Sequence, residues 1–82
     1  MIYLIGWKNV YQRIDCRSVC QLTPDCEFWT WAKSDNHCYT KHDFGWEMYR
    51  DTNADSGDKS GNIDWAGYNL KGGDMACRKI IE

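Results

Sequence analysis

The sequence CRSVCQLTPDCEFWTWAKSDNHCYTK, residues 16–41, decides how this chain folds. It contains four of the five cysteines, with three, five and eleven residues between successive members. Cys16 and Cys20 are four residues apart, so on a helix they lie one turn apart on the same face. The pattern predicts a helix over residues 12–22, because Pro24 and the residue before it are incompatible with a longer one. Ile14, Val19 and Leu22 are predicted to form its apolar side, which should lie on a sheet.

The second half of this segment is predicted to form a β-hairpin. Residues 28–31, FWTW, are aromatic and β-branched, which favours a strand. Residues 33–36, KSDN, are turn formers, and residues 38–41 form the returning strand. Trp29 and Trp31 lie on one face of the hairpin, and we expect them to pack against the helix because their rings can bury the most area.

The segment resembles the centre of the PAN/apple domain, a family of non-catalytic extracellular modules that bind proteins or carbohydrates. The resemblance rests on the cysteine spacing, Thr23-Pro24, Trp29-Thr30-Trp31 and Lys41. Residues 65–70, WAGYNL, are similar to the family's final strand, and Gly6 fits a first segment. The resemblance therefore implies one module over residues 1–82, secreted and without enzymatic activity.

The cysteines are predicted to pair as Cys16–Cys38 and Cys20–Cys26, the nested pattern that the resembling family uses. The chain reverses after the helix and brings Cys26 back towards Cys20, and Cys38 on the returning strand can reach the helix one turn earlier. Zinc is the alternative, but zinc sites usually pair their ligands at both ends, and no second pair is present here. Small cysteine-dense domains are typically oxidised and extracellular.

Cys77 has no partner in this scheme. In the six-cysteine apple pattern, the cysteine after the final strand pairs with one near the start of the domain, but residues 1–15 contain none. A free exposed thiol is unstable in an oxidising compartment. We therefore expect Cys77 to pair with a cysteine of another chain or with one upstream of Met1.

Size and composition exclude several classes of function. A chain of 82 residues is one small domain, which needs disulfides to supplement its core. The net charge is −2, with ten basic and twelve acidic residues scattered along the chain, so we expect neither nucleic acid nor an anionic membrane as a partner. The longest apolar run, residues 1–5, is far shorter than the roughly 20 residues that cross a bilayer. No cofactor is expected.

The predicted fold is α+β: a small, disulfide-stapled, antiparallel sheet of four or five strands with one helix packed across it. Residues 2–5, 44–49 and 63–70 are further strand candidates. Residues 50–62, RDTNADSGDKSGN, contain one apolar residue and are predicted to be a surface loop. From Asp51 onward the loop resembles a calcium-binding loop, but Ser56 and Asn62 replace its glycine and glutamate, which favours a solvated loop without metal.

Function is predicted to be contact with another protein or with copies of itself, in adhesion or assembly. Trp65 is expected in the core, whereas Trp46 and Tyr68 are among the rings that one helix cannot cover, and exposed rings anchor interfaces or stack on sugars. A catalytic cysteine beside His37 or His42 would need a cleft that so short a chain rarely builds, so no enzyme is expected.

Two alternatives remain open. The first is a lectin, because some apple domains bind galactose-type sugars near the lysine that follows the hairpin cysteine. The resemblance places that role on Lys41, with Asp43 and Tyr68 as neighbours; without a sugar, Lys41 would be a solvated charge at the end of a strand. The second alternative is a regulatory module of a larger secreted zymogen.

Overall fold

A computed structural model describes residues 2–4, 9–72 and 78–80. Its elements, in chain order, are β1 (Ile2–Leu4), α1 (Arg13–Leu22), β2 (Phe28–Ala32), β3 (His37–Lys41), β4 (Glu47–Asp58), β5 (Asp64–Lys71) and β6 (Arg78–Ile80). Four strands form an antiparallel sheet in the order β3-β2-β4-β5, and β1 pairs with β6 in a separate two-stranded sheet. The predicted α+β fold, with one helix on an antiparallel sheet, is confirmed.

Two disulfides join α1 to the sheet. Cys16 bonds to Cys38 of β3, and Cys20 bonds to Cys26, which lies just before β2. Both predicted pairs are confirmed, and all four cysteines are fully buried. The helix ends as predicted before Pro24. Within the described ranges, no helix is long and apolar enough to cross a membrane.

The two hairpin tryptophans pack on the helix side of the sheet, as predicted. Trp29 is 1% exposed, and its Nε1–H donates to the carbonyl oxygen of Asp58 at 2.9 Å. Trp31 packs against the same core and donates to the carbonyl oxygen of Val10 at 2.7 Å. Gly57 lies opposite Trp29, where a Cβ would stand 2.5 Å from the ring. Both rings can be buried because their indole N–H groups have acceptors. Trp29 also requires glycine at position 57, where any side chain would clash with its ring.

The apolar side of α1 differs from the prediction. Val19 packs on the core, but Ile14 is 48% exposed and Leu22 is 84% exposed. The disulfides turn the face of the helix that bears Cys16 towards the sheet, and at about 100° per residue Ile14 falls on the far side of that face. Val10, which precedes the helix, is buried in the core.

The prediction of a surface loop over residues 50–62 is wrong. Most of these residues belong to β4, which lies between β2 and β5, and Ala54 and Ser56 are buried in it. The Ser56 hydroxyl lies 2.8 Å from Thr30 Oγ1 and donates to the carbonyl oxygen of Tyr68 at 2.9 Å. The segment that resembles a calcium-binding loop is therefore a strand over most of its length. In the described part of the chain, no cluster of His, Cys, Asp and Glu side chains could hold a metal ion.

Asp55 explains how so polar a strand can be central. Its carboxylate side chain is 5% exposed and has partners on three sides. Oδ1 accepts from the backbone N–H of Gly67 at 2.9 Å and lies 3.1 Å from Lys33 Nζ, and Oδ2 lies 3.7 Å from Arg13 Nε. The buried charge is thus compensated by partners from other elements, which a buried carboxylate requires.

Candidate binding site

The four-stranded sheet has one face packed against α1 and one face that no described helix covers. The second face is called the open face here; it bears Thr30, Tyr39, Lys41, Ser56 and Trp65. Register places them together: Thr30 pairs with Tyr39 on one side and with Ser56 on the other, and Ser56 pairs with Trp65. Successive strand residues point to opposite faces, so these residues alternate with Trp29 and Trp31 on the helix side.

A cleft of about 480 Å³ lies on the open face. Thr30 and Tyr39 line it from β2 and β3, and Tyr49 and Asn69 line it from β4 and β5. The lining therefore combines two phenol rings with hydroxyl and amide groups. Tyr49 is one of the rings that one helix cannot cover, whereas Thr30, Tyr39 and Asn69 were not predicted as site residues, since they come from different strands.

An irregularity in the pairing of β4 with β5 shapes one wall of the cleft. Arg50 pairs with Tyr68 and Asp55 with Ala66, so four residues of β4 stand opposite one residue of β5. Such a bulge bends the strand that contains it. The backbone N–H of Lys33, in the β2–β3 turn, donates to the carbonyl oxygen of Asn53 at 2.7 Å and holds the bulge in place. Asp51 and Asn53 of the bulge line the cleft.

Lys41 lies in the cleft wall but is not a solvated charge, because it is 7% exposed. Its Nζ donates to the carbonyl oxygens of Leu70 at 2.6 Å and Gly72 at 3.2 Å. These bonds tie β3, one edge of the sheet, to the end of β5, the other edge. Burial lowers the pKa of Lys41, and the negative charge of Asp43 opposes this shift in part.

Asp43 and Trp46 lie near the same end of β5. Asp43 Oδ1 accepts from the backbone N–H of Gly45 at 3.0 Å, and the N–H of Trp46 donates to the carbonyl oxygen of Lys71 at 3.1 Å. The Trp46 ring rests on Gly72, where a Cβ would stand 2.2 Å from it and where φ is +79°. Trp46 nevertheless is 73% exposed. The ring is thus held on one side and open to solvent on the other.

Tyr68 and Trp65 lie elsewhere than predicted. Tyr68 contacts Arg50, whose guanidinium carbon is 5.1 Å from the ring centroid and whose Nη2 donates to the phenol oxygen at 3.0 Å. Of the two predicted neighbours of Lys41, Asp43 is therefore close to it, whereas Tyr68 contacts Arg50 instead. Trp65 is half-buried on the open face, not in the core beneath α1, and contacts Phe28 and Phe44 at centroid distances of 6.3 and 5.5 Å. Cys77 lies outside the described residues.

Comparison with known families agrees with this architecture. The family model described as the PAN domain matches residues 4–63, more than half of the chain. The chain belongs to the PAN domain family. The resemblance in the sequence is thereby confirmed. PAN domains take part in protein and carbohydrate interactions, are generally non-catalytic, and are typical of extracellular proteins. No curated protein and no solved structure matches this chain significantly.

Proposed function

We propose that this PAN domain is a non-catalytic extracellular module over residues 1–82 that contacts another protein, or a second copy of itself, through the open face. The observation that supports this most is Trp46 at the margin of the open face, whose ring is packed against Gly72 of the cleft lining and yet is 73% exposed. A ring that is already held in one position loses little conformational entropy when a partner covers it. Tryptophan is enriched among residues that dominate binding energy for this reason and for its area.

The aromatic cluster of Phe28, Phe44 and Trp65 adds apolar surface on the open face. Phe44 meets the other two rings edge-on, at interplanar angles of 84° and 77°. All three residues are half-buried, so each presents part of its ring to solvent. Partly exposed apolar area beside polar groups is typical of protein interfaces.

Trp46→Ala tests this proposal against a matched control, Leu22→Ala. Leu22 is 84% exposed on α1, on the other side of the sheet, so both changes remove a large exposed apolar side chain. Self-association is measured by sedimentation velocity over a range of concentrations. If the protein is a monomer, binding is measured with partners captured from extracellular fluid. We expect Trp46→Ala to weaken binding about tenfold or more, and Leu22→Ala to leave it unchanged.

Two results would contradict the proposal. One is equal binding by wild type and the Trp46 variant. The other is a loss of binding with Leu22→Ala alone, which would move the interface to the helix side.

A carbohydrate ligand is the second candidate, favoured by the lining of the cleft. Tyr39 and Tyr49 offer rings for stacking, Asn69 offers an amide, and an ammonium group such as that of Lys41 has three donors, of which two are already used. A glycan array tests this candidate. We expect galactosides to bind to wild type and to Leu22→Ala but not to Tyr49→Ala. An array on which wild type binds nothing would remove this candidate and leave the protein contact standing.

A further inference from the structure

A second, smaller cavity lies on the other side of the sheet, beside α1. It measures about 150 Å³ and is lined by Arg13, Ile14, Arg17, Trp29 and Asp64. None of these residues lines the cleft on the open face. The two arginines are four residues apart on the helix, so their side chains project from the same side of it. The cavity therefore brings two guanidinium groups together.

Each guanidinium has a nitrogen whose hydrogens have no acceptor. In the described part of the chain, Arg13 Nη2 and Arg17 Nε are buried without a hydrogen-bond partner. Arg13 Nη2 lies 3.4 Å from Asp64 Oδ1, close enough for an ion pair but without hydrogen-bond geometry. Buried polar groups in folded proteins are nearly always bonded, so two orphaned donors at one cavity call for an acceptor that the chain itself does not supply.

The charges around the cavity favour a singly charged acceptor. Arg13 and Arg17 contribute two positive charges and Asp64 one negative charge. Asp55 is also near Arg13, but its charge is matched by Lys33 at 3.1 Å. The surroundings thus carry about one net positive charge. A doubly charged anion would be repelled more strongly by Asp64 than a singly charged one would be.

We propose that Arg13 and Arg17 bind one carboxylate group, supplied by an acidic side chain of a protein partner. A guanidinium and a carboxylate match in shape, because two parallel N–H groups donate to two oxygens. The orphaned nitrogens are shielded from solvent. A carboxylate seated in the cavity that both arginines line gives these N–H groups an acceptor. This contact lies on the α1 side of the sheet, so it goes beyond the proposed contact through the open face and is tested separately from it.

NMR of the arginine Nε–H groups tests the site without a partner. Sodium acetate is exchanged for sodium chloride at constant ionic strength, and the titration is repeated with acetyl-Gly-Glu-Gly-amide and with sodium sulfate. We expect both carboxylates to shift the Arg17 signal saturably while the Arg50 signal stays in place. Arg50 is the matched control because it bonds to Tyr68, away from the cavity.

The outcomes separate the possible ligands. If acetate shifts the Arg17 signal and the peptide does not, the site binds a free small anion. That result would overturn the proposal that a protein partner supplies the carboxylate. A stronger response to sulfate than to acetate would overturn the preference for a single charge. No saturable shift at Arg17 would overturn the site, and would leave the Trp46 contact untouched, since that contact is tested by other variants.

Arg17→Lys separates a specific site from a general attraction of anions. Lysine keeps the charge but lacks the planar fork, so we expect acetate to bind about tenfold more weakly, the equivalent of one charge-assisted hydrogen bond. The Arg13 Nε–H signal reports this binding in the variant. Arg50→Lys should leave the acetate affinity unchanged. Equal affinity of wild type and Arg17→Lys would contradict the proposal, provided that the remaining amide spectrum shows an intact fold.

Discussion

The two faces of the four-stranded sheet are held by different kinds of interaction. On the face covered by α1, Trp29 is buried beside four cysteines that form two covalent links. On the open face, Thr30 and Ser56 share a hydrogen bond and Lys41 spans the sheet with two more. The covered face contains the disulfides and the buried core, whereas the open face keeps polar and aromatic groups available. Because two disulfides stabilise the side covered by α1, the other side of the sheet is available for binding even in a domain this small.

The disulfides should show the largest effect. Replacing Cys16 and Cys38 together by alanine removes the disulfide that joins residues 22 positions apart. Replacing Cys20 and Cys26 removes the one that joins residues 6 positions apart. The chain-entropy relation predicts losses of about 3 and about 2 kcal/mol in the free energy of unfolding. Urea denaturation measures both. A larger loss of unfolding free energy without the Cys20–Cys26 disulfide would contradict the view that the Cys16–Cys38 disulfide, between α1 and β3, stabilises the fold more.

Asp55→Asn should show the next largest effect. It removes the buried charge that faces Arg13 and Lys33, and we expect a loss of about 2 kcal/mol, since both cations are partly exposed. Asp64→Asn is the matched control, because Asp64 also faces Arg13 but its side chain is 50% exposed. Its loss should stay below about 1 kcal/mol. Equal losses in urea denaturation would show that burial of Asp55 does not increase its contribution to the free energy of unfolding.

A double-mutant cycle on the open face should give a smaller effect. Ser56→Ala and Thr30→Val each remove a hydroxyl from the buried pair at 2.8 Å, and each should cost about 1 kcal/mol. The coupling energy between them should be favourable and of similar size. Additive losses would mean that the two hydroxyl groups do not stabilise each other.

The pH dependence of Lys41 should be the smallest effect. Burial lowers its pKa below 10.5, so between the two values the unfolded chain binds more protons than the folded one. The free energy of unfolding should therefore rise with pH in that window, relative to Lys41→Met. Thermal unfolding from neutral pH up to about pH 9.5 measures the difference. Lys71→Met is the control: it removes an exposed lysine of β5 and leaves Lys41 in place, so the variant should keep the rise seen in wild type.

The helix and hairpin could be predicted because their determinants are local. Two cysteines one turn apart, a proline after the helix and aromatic residues on alternate positions each act over a few residues. The central strand β4 could not be predicted in this way. Its polar side chains are satisfied by distant partners: Asp55 by Arg13, and Ser56 by Thr30, 26 residues earlier. Without those partners in view, the segment has the composition of a loop.

The site was predictable only in part for the same reason. Lys41 and Trp46 stand out as residue types in the sequence, but the acceptors of Lys41 Nζ lie 29 and 31 residues further along the chain. Tyr49 and Asn69 reach the cleft through a bulge, and no pattern in a single strand indicates where pairing will slip. The apolar side of α1 was misjudged at Ile14, since the disulfides fix which side faces the sheet.

Placing an N-linked glycan on each face in turn tests most directly whether the open face is the binding face. Lys71→Thr creates an acceptor sequence at Asn69, which lines the cleft, and Gln21→Asn creates one on the exposed side of α1. Mass spectrometry establishes occupancy, and enzymatic removal of the glycan is the control for folding. We predict that the glycan on Asn69 abolishes the contact that depends on Trp46 until the glycan is removed, while the glycan on α1, one turn from Arg17, leaves that contact intact. Binding that survives the first glycan and is lost with the second would contradict the account.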